Sequence, residues 1–482
     1  MITILDCYTD EPAGLGVPPF LGTYPRYIAG ELETPYYLTI DDLRLLKKYS
    51  STIPETKEHQ KTDISVYNLT KNYRETDKIL KNTDELIIII GVHTPGKYLT
   101  ATPGTLSEVR RLLEGYKCRK VLAGPITHGS QLHGGKFSEF IDTNFFHEVR
   151  QFDFSYDRIK ETAVQGARIL EQIPDRRMIE IETGCGCSRK TGCSFCLEPI
   201  KNRLQFRDKE DIIAEIKEFH RRGARRFRLG KQSCIYAYPD LIGLLKEIRE
   251  IGEIDVLHID NANPANIVRD KGQEKTKAII KYCTEGNIAA FGVESFDPEV
   301  IRKNNLNSDP ETTMQAIRIL NEHGRHRGPN GMPHFLPGIN ILLGLIGENR
   351  KTLELNYEAL KEIIDNDLLL RRINIRKVVP FKGTPLEETT GNKFLRKNKR
   401  HYFSWRRRIR EDIDHIMLQK LVPKNSILKD VIAETYDGKH TFCRQMGTYP
   451  LIVGVRERLP LKEPYDLKVT GHMLRSLVAE PA

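Results

Sequence analysis

The chain has 482 residues, with 75 Lys and Arg against 65 Asp and Glu, a formal net charge of +10 and a pI near 9.0. At that length about three domains are expected, and 39% hydrophobic with 29% charged residues excludes a disordered chain. The longest aliphatic run, Leu86-Ile87-Ile88-Ile89-Ile90, falls far short of the roughly 20 residues that cross a bilayer, and the amino terminus lacks a basic-then-apolar signal, so a soluble, cytoplasmic protein with no membrane partner is expected.

In chain order, Met1 to Leu5 begins as a short apolar strand and enters the Gly/Pro-rich turn 12–19. Leu86 to Ile90 reads as a buried parallel strand, Thr105 to Glu114 as a helix, and Lys120 to Pro125 as a further strand. Strands alternating with helices imply a parallel sheet, whose ligands sit at the carboxyl ends, here around 92–96 and 124–129.

From Arg177 a second α/β series starts. Met178 to Glu182 is a strand that delivers the chain into a cysteine loop. Its following strands are expected at Arg226–Leu229, Asp255–Ile259, Ala289–Val293, Gly338–Gly344 and Arg372–Val379, with helices between them. Six such units make a partial barrel.

The nine cysteines are unevenly spread: Cys185, Cys187, Cys193 and Cys196 share twelve residues, while Cys7, Cys118, Cys234, Cys283 and Cys443 stand singly. An odd count without a secretion signal argues against disulfides. Zinc would want a fourth ligand from a second knuckle, which is missing; three thiolates from one loop suit an iron-sulfur cluster with one iron open. The plain alternatives are a structural zinc knuckle for the loop, small core residues for Cys118, Cys234 and Cys283, and loop histidines for His93 and His128.

From Leu395 the composition shifts. Arg396 to Arg410 holds eight basic residues, no acid and the only tryptophan, Trp405. By default it is a solvated helical face; with Tyr402, Phe403 and Trp405 interleaved, Arg396, Lys397, Lys399, Arg400, Trp405, Arg406, Arg407 and Arg408 become candidates for RNA contact. Beyond Pro423, short β-type pieces at Ser426–Glu434, Leu451–Val455 and Tyr465–Val469 suggest a small barrel. The expected architecture is α/β: a Rossmann-like parallel sheet (1–150), a partial (β/α)6 barrel (170–390), a basic linker helix (391–422) and a small carboxy-terminal β-barrel (423–482).

A strand, then Thr183-Gly-Cys-Gly-Cys187, a gap and Cys193-Ser-Phe-Cys196 resembles the cluster loop of the radical S-adenosylmethionine (SAM) superfamily. The usual Cys-x3-Cys-x2-Cys carries two extra residues in its first gap here. Cys187 is favoured over Cys185 as first ligand because it keeps the Gly-Cys pairing and gives the shorter gap. Gly292-Val-Glu-Ser295, Gly344-Leu-Ile-Gly-Glu348 and Pro380-Phe-Lys-Gly-Thr-Pro385 resemble the endings of the fourth, fifth and sixth strands of these barrels, with Ile346 in place of a proline. The resemblance implies that Cys187, Cys193 and Cys196 hold a catalytic [4Fe-4S] cluster beside Phe195. It also implies that Glu294, with Ser295, contacts SAM and that the backbone near Gly344 lies against adenine. Position alone suggests Gln232 and Ser233 for the methionine carboxylate.

Pro18 to Gly30, Gly91 to Pro95 and Ala123 to Gly129 resemble the domain that precedes the barrel in cobalamin-binding radical enzymes, although the Asp-x-His-x-x-Gly cobalamin signature is missing. The carboxy-terminal piece resembles the small RNA-binding TRAM-like barrel of tRNA methylthiotransferases. The resulting expectation is a radical SAM enzyme, supplied by an electron donor such as ferredoxin or flavodoxin, that modifies RNA, in particular tRNA, by a methylthio- or methyl-type transfer. The alternatives are a cobalamin-dependent methylase acting on a protein or small metabolite, and an RNA-binding protein with a structural cluster.

Overall fold

The computed structural model describes residues 1–9, 20–55, 67–91, 102–128, 131–133, 137–139, 144–174, 177–189, 191–307 and 309–482. The sequence motifs at 12–19 and 92–96, and the ends of those at 18–30 and 123–129, therefore lie outside the described residues. Two compact units form: Met1–Ile181 with Glu210–Phe227 and Thr435–Lys439, and Glu182–Lys209 with Arg228–Glu434 and His440–Ala482. Among the described residues no helix is long and apolar enough to cross a membrane.

In the first unit, β1 (Ile2–Asp6), β3 (Tyr36–Thr39), β4 (Glu85–Ile89), β5 (Arg119–Ala123) and β8 (Glu148–Val149) form a parallel sheet of order β3-β1-β4-β5-β8. Its strands read as continuous apolar runs because helices cover a parallel sheet on both faces. Leu5, Leu38, Leu86, Ile88 and Leu122 pack with Leu106 and Val109 of the helix Leu106–Leu112 in one buried cluster. Thr105 caps that helix, its hydroxyl accepting from the Glu108 amide at 3.1 Å. A small antiparallel hairpin, β6 (Gln131–His133) with β7 (Phe137–Glu139), precedes β8.

The short β2 (Phe20–Leu21) does not join this sheet. It pairs in parallel with β9 (Met178–Glu182), Phe20 opposite Met178 and Leu21 opposite Ile179. The helix that follows, Thr23–Glu31, lies so close to its neighbours that a Cβ on Gly30 would fall 2.0 Å from the Thr162 carbonyl oxygen. From this helix Arg26, fully buried, pairs with the equally buried Glu215 of the helix Lys209–Arg221 and donates to the Glu180 carbonyl. It also donates to the Gly22 carbonyl at 3.0 Å and lies 5.1 Å from the Phe219 ring centroid.

In the second unit, β10 (Gly184–Cys185) and β11 (Gln205–Phe206) pair antiparallel. The strands β12 (Arg226–Gly230) and β13 (Val256–Ile259) come next in the chain, followed by the parallel sheet of β14 (Asn287–Glu294), β15 (Phe335–Leu343) and β16 (Arg372–Lys377). Asn261, just past β13, bridges to Ala290 of β14. Thus β9 and β12 to β16 are the six expected strands, with the helices Lys209–Arg221, Leu241–Glu250, Glu274–Tyr282, Pro310–Gly324 and Arg350–Asp365 between them. The carboxy-terminal strands β17 (Ile427–Asp437), β18 (His440–Arg444), β19 (Ile452–Val455), β20 (Pro464–His472) and β21 (Leu477–Pro481) close into a barrel of order β17-β18-β19-β21-β20. Closure leaves that small sheet without a free edge.

Replacing Glu215 with alanine strands the Arg26 charge in the core. Urea unfolding is expected to lose about 3–5 kcal/mol, the usual result of breaking one side of a buried pair. A loss below about 1 kcal/mol would contradict that role.

Candidate active site

The cysteine loop starts at a fixed point. Thr183 continues β9 by donating its amide to the Gly230 carbonyl at 3.2 Å. At Gly186 the backbone takes φ 80°, and a Cβ there would fall 2.4 Å from the Arg203 carbonyl oxygen, so only glycine fits this approach. Its amide donates to Glu198 at 2.7 Å. Cys187, Cys193 and Cys196 follow, all half-buried, with the Cys196 amide donating to the Cys193 carbonyl at 3.0 Å.

Three neighbours hold the loop. Arg189 donates to the carbonyl and side-chain oxygens of Asn305 at 2.6 and 2.7 Å and reaches Cys193 Sγ at 3.4 Å. Asn305 returns the bond to the Gly192 carbonyl. Ser194 donates its hydroxyl to Asn304 Oδ1 at 2.7 Å and its amide to the Asn304 carbonyl at 2.9 Å. Phe195 packs with Cys193 against the buried cluster of Val300, Leu306, Leu342, Leu345, Val378 and Leu386.

The thiols are electrically coupled. Burial pushes Cys193 up to about 12, the Arg189 guanidinium opposes this, and Cys196, Glu294 and Cys187 add to the rise. Burial likewise holds Cys196 above the ordinary thiol range, with Cys187 and Glu294 acting in the same direction. Cys193 and Cys196, which resist ionisation alone, form with Cys187 a donor set that bound iron would deprotonate and neutralise. Among the described residues no three His, Cys, Asp or Glu side chains converge on one metal-ion position.

Cys185 stands apart. It sits in β10 opposite Gln205, with Sγ 3.7 Å from the Arg203 carbonyl oxygen.

Residues 181–360 match the radical SAM superfamily. The chain carries a radical SAM domain over those residues. It is 40% identical to an uncharacterised protein of Methanocaldococcus jannaschii over 99% of this chain and 92% of that protein. A putative methylthiotransferase of the same organism is 25% identical over 34% of this chain and 35% of its own length. Among solved structures, the radical SAM methyltransferase TsrM from Kitasatospora setae, with cobalamin and a [4Fe-4S] cluster bound, aligns over 78% of this chain and 74% of its own. That alignment has 12% identity and a TM-score of 0.47. Radical SAM enzymes use a [4Fe-4S] cluster and SAM, and the three coupled thiols fit the cluster.

The other residues singled out from the sequence fall around this radical SAM site in different ways. Glu294 ends β14 at a bulge, with φ 64°, a left-handed conformation that a non-glycine residue holds at a cost of about 1–3 kcal/mol. Burial pushes its carboxyl up to about 8, offset in part by Arg376. Gln232 is 2% exposed and leaves both side-chain amide atoms without a partner, while Ser233 is exposed. Ser295 is buried and turned to structure: its hydroxyl bonds Asn356 at 3.3 Å and accepts from the Asp297 amide at 3.2 Å. Gly344 has φ 98°, and a Cβ would lie 2.8 Å from Val378 Cγ1 and 2.9 Å from Leu395 Cβ, so those side chains cover it.

The helix Lys393–Arg408 carries the basic run as far as Arg408, and here one sequence reading is corrected. Trp405 is 3% exposed and donates its indole N–H to the Leu353 carbonyl at 2.6 Å, so it is core and not a stacking platform. Arg408 pairs with Glu354 through one nitrogen, at 2.9 and 3.0 Å, and lies over the Tyr357 ring; Arg407 pairs with Glu411. Arg396, Lys397, Lys399, Arg400 and Arg406 are exposed, with Phe403 80% exposed among them. The single cysteines Cys7, Cys118, Cys234, Cys283 and Cys443 are all buried.

Sequence reasoning missed Asn304, Asn305 and Arg189. The signal for the asparagines was local: the helix Pro298–Lys303 ends at Asn304, and Asn305 takes φ 48°, a conformation asparagine tolerates. It also missed Glu348's partners. That buried carboxyl accepts from the Gly344 amide at 2.9 Å, from the Tyr402 hydroxyl and from the Asn398 amide group, tying the loop after β15 to the helix Lys393–Arg408.

Two outcomes are expected. After anaerobic iron-sulfide reconstitution, Cys193→Ala should lose the cluster and Cys185→Ala should retain most of its iron, measured as iron per chain. Burial pushes Glu348 up to about 7 despite those hydrogen bonds, so the native state holds an extra proton from about pH 4.5 to 7. Stability should therefore fall by up to about 3 kcal/mol as pH rises through that window, and Glu348→Gln should flatten the slope, read by urea unfolding at several pH values.

Proposed function

We propose that this radical SAM enzyme transfers a methyl- or methylthio-type group to an unactivated carbon of a small substrate held within its ring of strands. The observation that carries the radical chemistry is the set of three coupled thiols, Cys187, Cys193 and Cys196, on the loop after β9, electrostatically linked to Glu294 at the end of β14. When bound, the [4Fe-4S] cluster offers SAM an open iron and delivers the electron that cleaves its C–S bond to a 5′-deoxyadenosyl radical.

The chain's own residues bind, orient and exclude. Arg189 and Asn305 brace the loop, and the Arg189 guanidinium lies against Cys193, where it compensates thiolate charge. Glu294, at the end of β14, would accept from a hydroxyl or ammonium group of SAM, and the unpartnered Gln232 amide, two residues past β12, offers a donor and an acceptor. Phe195, Leu345 and Leu386 pack an apolar surface against the loop, which keeps water and stray hydrogen donors from a radical. A small protein such as ferredoxin or flavodoxin would supply the electron.

The transfer class is supported by the likeness to the putative methylthiotransferase. For methyl transfer, the parallel sheet β3-β1-β4-β5-β8 is the place for a cobalamin, held without the missing histidine motif. A second reading, an RNA substrate such as tRNA, is favoured by the exposed face of Arg396, Lys399, Arg400, Phe403 and Arg406, which lie at helical spacing on one side of their helix.

The reconstituted protein, reduced anaerobically with SAM, should release 5′-deoxyadenosine, and Cys193→Ala should release none. Wild-type protein that carries its cluster and gives none would overturn the radical reading. A corrinoid absorption band in the anaerobically purified protein would assign methyl transfer through cobalamin; its absence would leave SAM as the donor.

A further inference from the structure

The chain leaves the cysteine loop through an exposed strap. Cys196 is followed by the short helix Glu198–Lys201 and then by Asn202, Arg203 and Leu204, which lead into β11. The strap is tied to the loop at its start. Glu198 Oε1 accepts from the Gly186 amide at 2.7 Å and from the Asn202 side-chain amide at 3.0 Å. A Cβ on Gly192 would lie 2.4 Å from Pro199 Cγ, so the proline packs on the residue before Cys193. The Glu198 amide also hydrogen-bonds the Cys196 thiol, so the strap meets the ligand set through its backbone. At the far end Gln205 pairs with Cys185, and the Phe206 ring meets the Tyr238 ring edge to face with centroids 5.8 Å apart.

Between these anchors every residue from Ile200 to Gln205 is exposed. Ile200 is 55% and Leu204 41% exposed, two large aliphatic side chains held open on a braced segment. Lys201 and Arg203 stand between them, and among the described residues neither has an acidic partner. From Cys187 to Leu204 the sequence has four basic residues against Glu198 alone, and that carboxylate is turned onto the loop, so the stretch is net positive.

The radical chemistry needs an electron from outside the chain, and the strap is the exposed segment joined most directly to a cluster ligand. Electron-transfer complexes are small and transient; charge attraction steers the partners together and a few apolar contacts set their register. Lys201 and Arg203 supply the first, Ile200 and Leu204 the second. Neither aliphatic side chain offers a π-face on which a base could stack, which favours a protein partner over a nucleic acid at this face. We propose that Ile200, Lys201, Arg203 and Leu204 form the docking surface for a small acidic one-electron carrier protein of the ferredoxin or flavodoxin class. In the docked complex the reduced carrier loses one electron and the cluster gains it; no bond forms or breaks and no proton moves. The proposal rests on the reading of Cys187, Cys193 and Cys196 as cluster ligands and adds the place where their electron arrives.

The test is calorimetric titration of the full-length, cluster-loaded protein with purified oxidised ferredoxin and, separately, oxidised flavodoxin at low ionic strength. At least one carrier should bind saturably, and added KCl should weaken it. Lys201→Glu combined with Arg203→Glu should raise Kd by about tenfold or more, with iron per chain and the urea midpoint unchanged. Leu204→Ser should weaken binding as well. The charge reversals should also slow 5′-deoxyadenosine release driven by the reduced carrier and leave release driven by dithionite unchanged. No saturable binding of either carrier overturns the proposal, as does an unchanged Kd in the charge-reversed protein. So does a loss of carrier binding confined to Lys399→Glu with Arg400→Glu, which moves the docking face to the helix Lys393–Arg408. Two other results overturn it by naming a different occupant: charge reversal that weakens binding of bulk tRNA and not of carrier, or a concentration-dependent dimer, seen by sedimentation, that Leu204→Glu dissolves. Wild-type protein that takes up no iron removes the cluster reading and this proposal together, whereas a loaded protein that binds no carrier removes the proposal alone.

Discussion

One buried amide ties the active end of the barrel together. Asn304 is fully buried, and its Oδ1 accepts from the Ser194 hydroxyl at 2.7 Å and the Ile346 amide at 3.0 Å. Its Nδ2 donates to the carbonyls of Val300 at 2.8 Å and Ile346 at 2.9 Å, and its own carbonyl accepts from the Ser194 amide. The Ser194 carbonyl in turn accepts from the Leu386 amide at 2.9 Å. Through this one side chain and its serine partner, the cysteine loop after β9, the helix after β14 and the segments after β15 and β16 share a single hydrogen-bonded knot. A buried amide with both ends used is hard to replace, because any truncation leaves donors and acceptors unpaired.

That constraint explains why the cluster loop can be long and still hold its thiols. Its two extra residues relative to the usual spacing are absorbed where Arg189 and Asn305 clasp the loop from outside, before the chain reaches the knot at Ser194. Cys185 lies in a two-strand ladder opposite Gln205, whereas Cys193 and Cys196 lie beyond the clasp, coupled to Cys187 and to Glu294.

Much of this was legible in the sequence. The six strands read from apolar runs and glycine stops coincide with β9 and β12 to β16, since a parallel strand buried on its outer face has little freedom to be anything else. The thiol spacing and the Gly292, Gly344 and Pro380 motifs located the active end. Two kinds of feature were hidden. The pairing of Phe20 and Leu21 with β9 depends on a contact between residues more than 150 positions apart, for which two residues carry no periodic signal. Trp405 was misread because an aromatic among arginines has the composition of a nucleic-acid face, while helical spacing with Asn398, Tyr402 and Ile409 is what puts it in the core. The alternation Arg372-Ile-Asn-Ile-Arg376 was readable as a strand with one polar face, but nothing in the sequence announced that the Tyr449 ring, from the carboxy-terminal barrel, would stack on Arg372.

The central claim is that Cys187, Cys193 and Cys196 hold a cluster with one iron left for SAM. Electron paramagnetic resonance of the reconstituted, reduced protein tests it most directly. The account predicts the signal of a reduced [4Fe-4S] cluster whose g values shift when SAM is added. A signal indifferent to SAM, or a chain that binds zinc in place of iron at this loop, would contradict it.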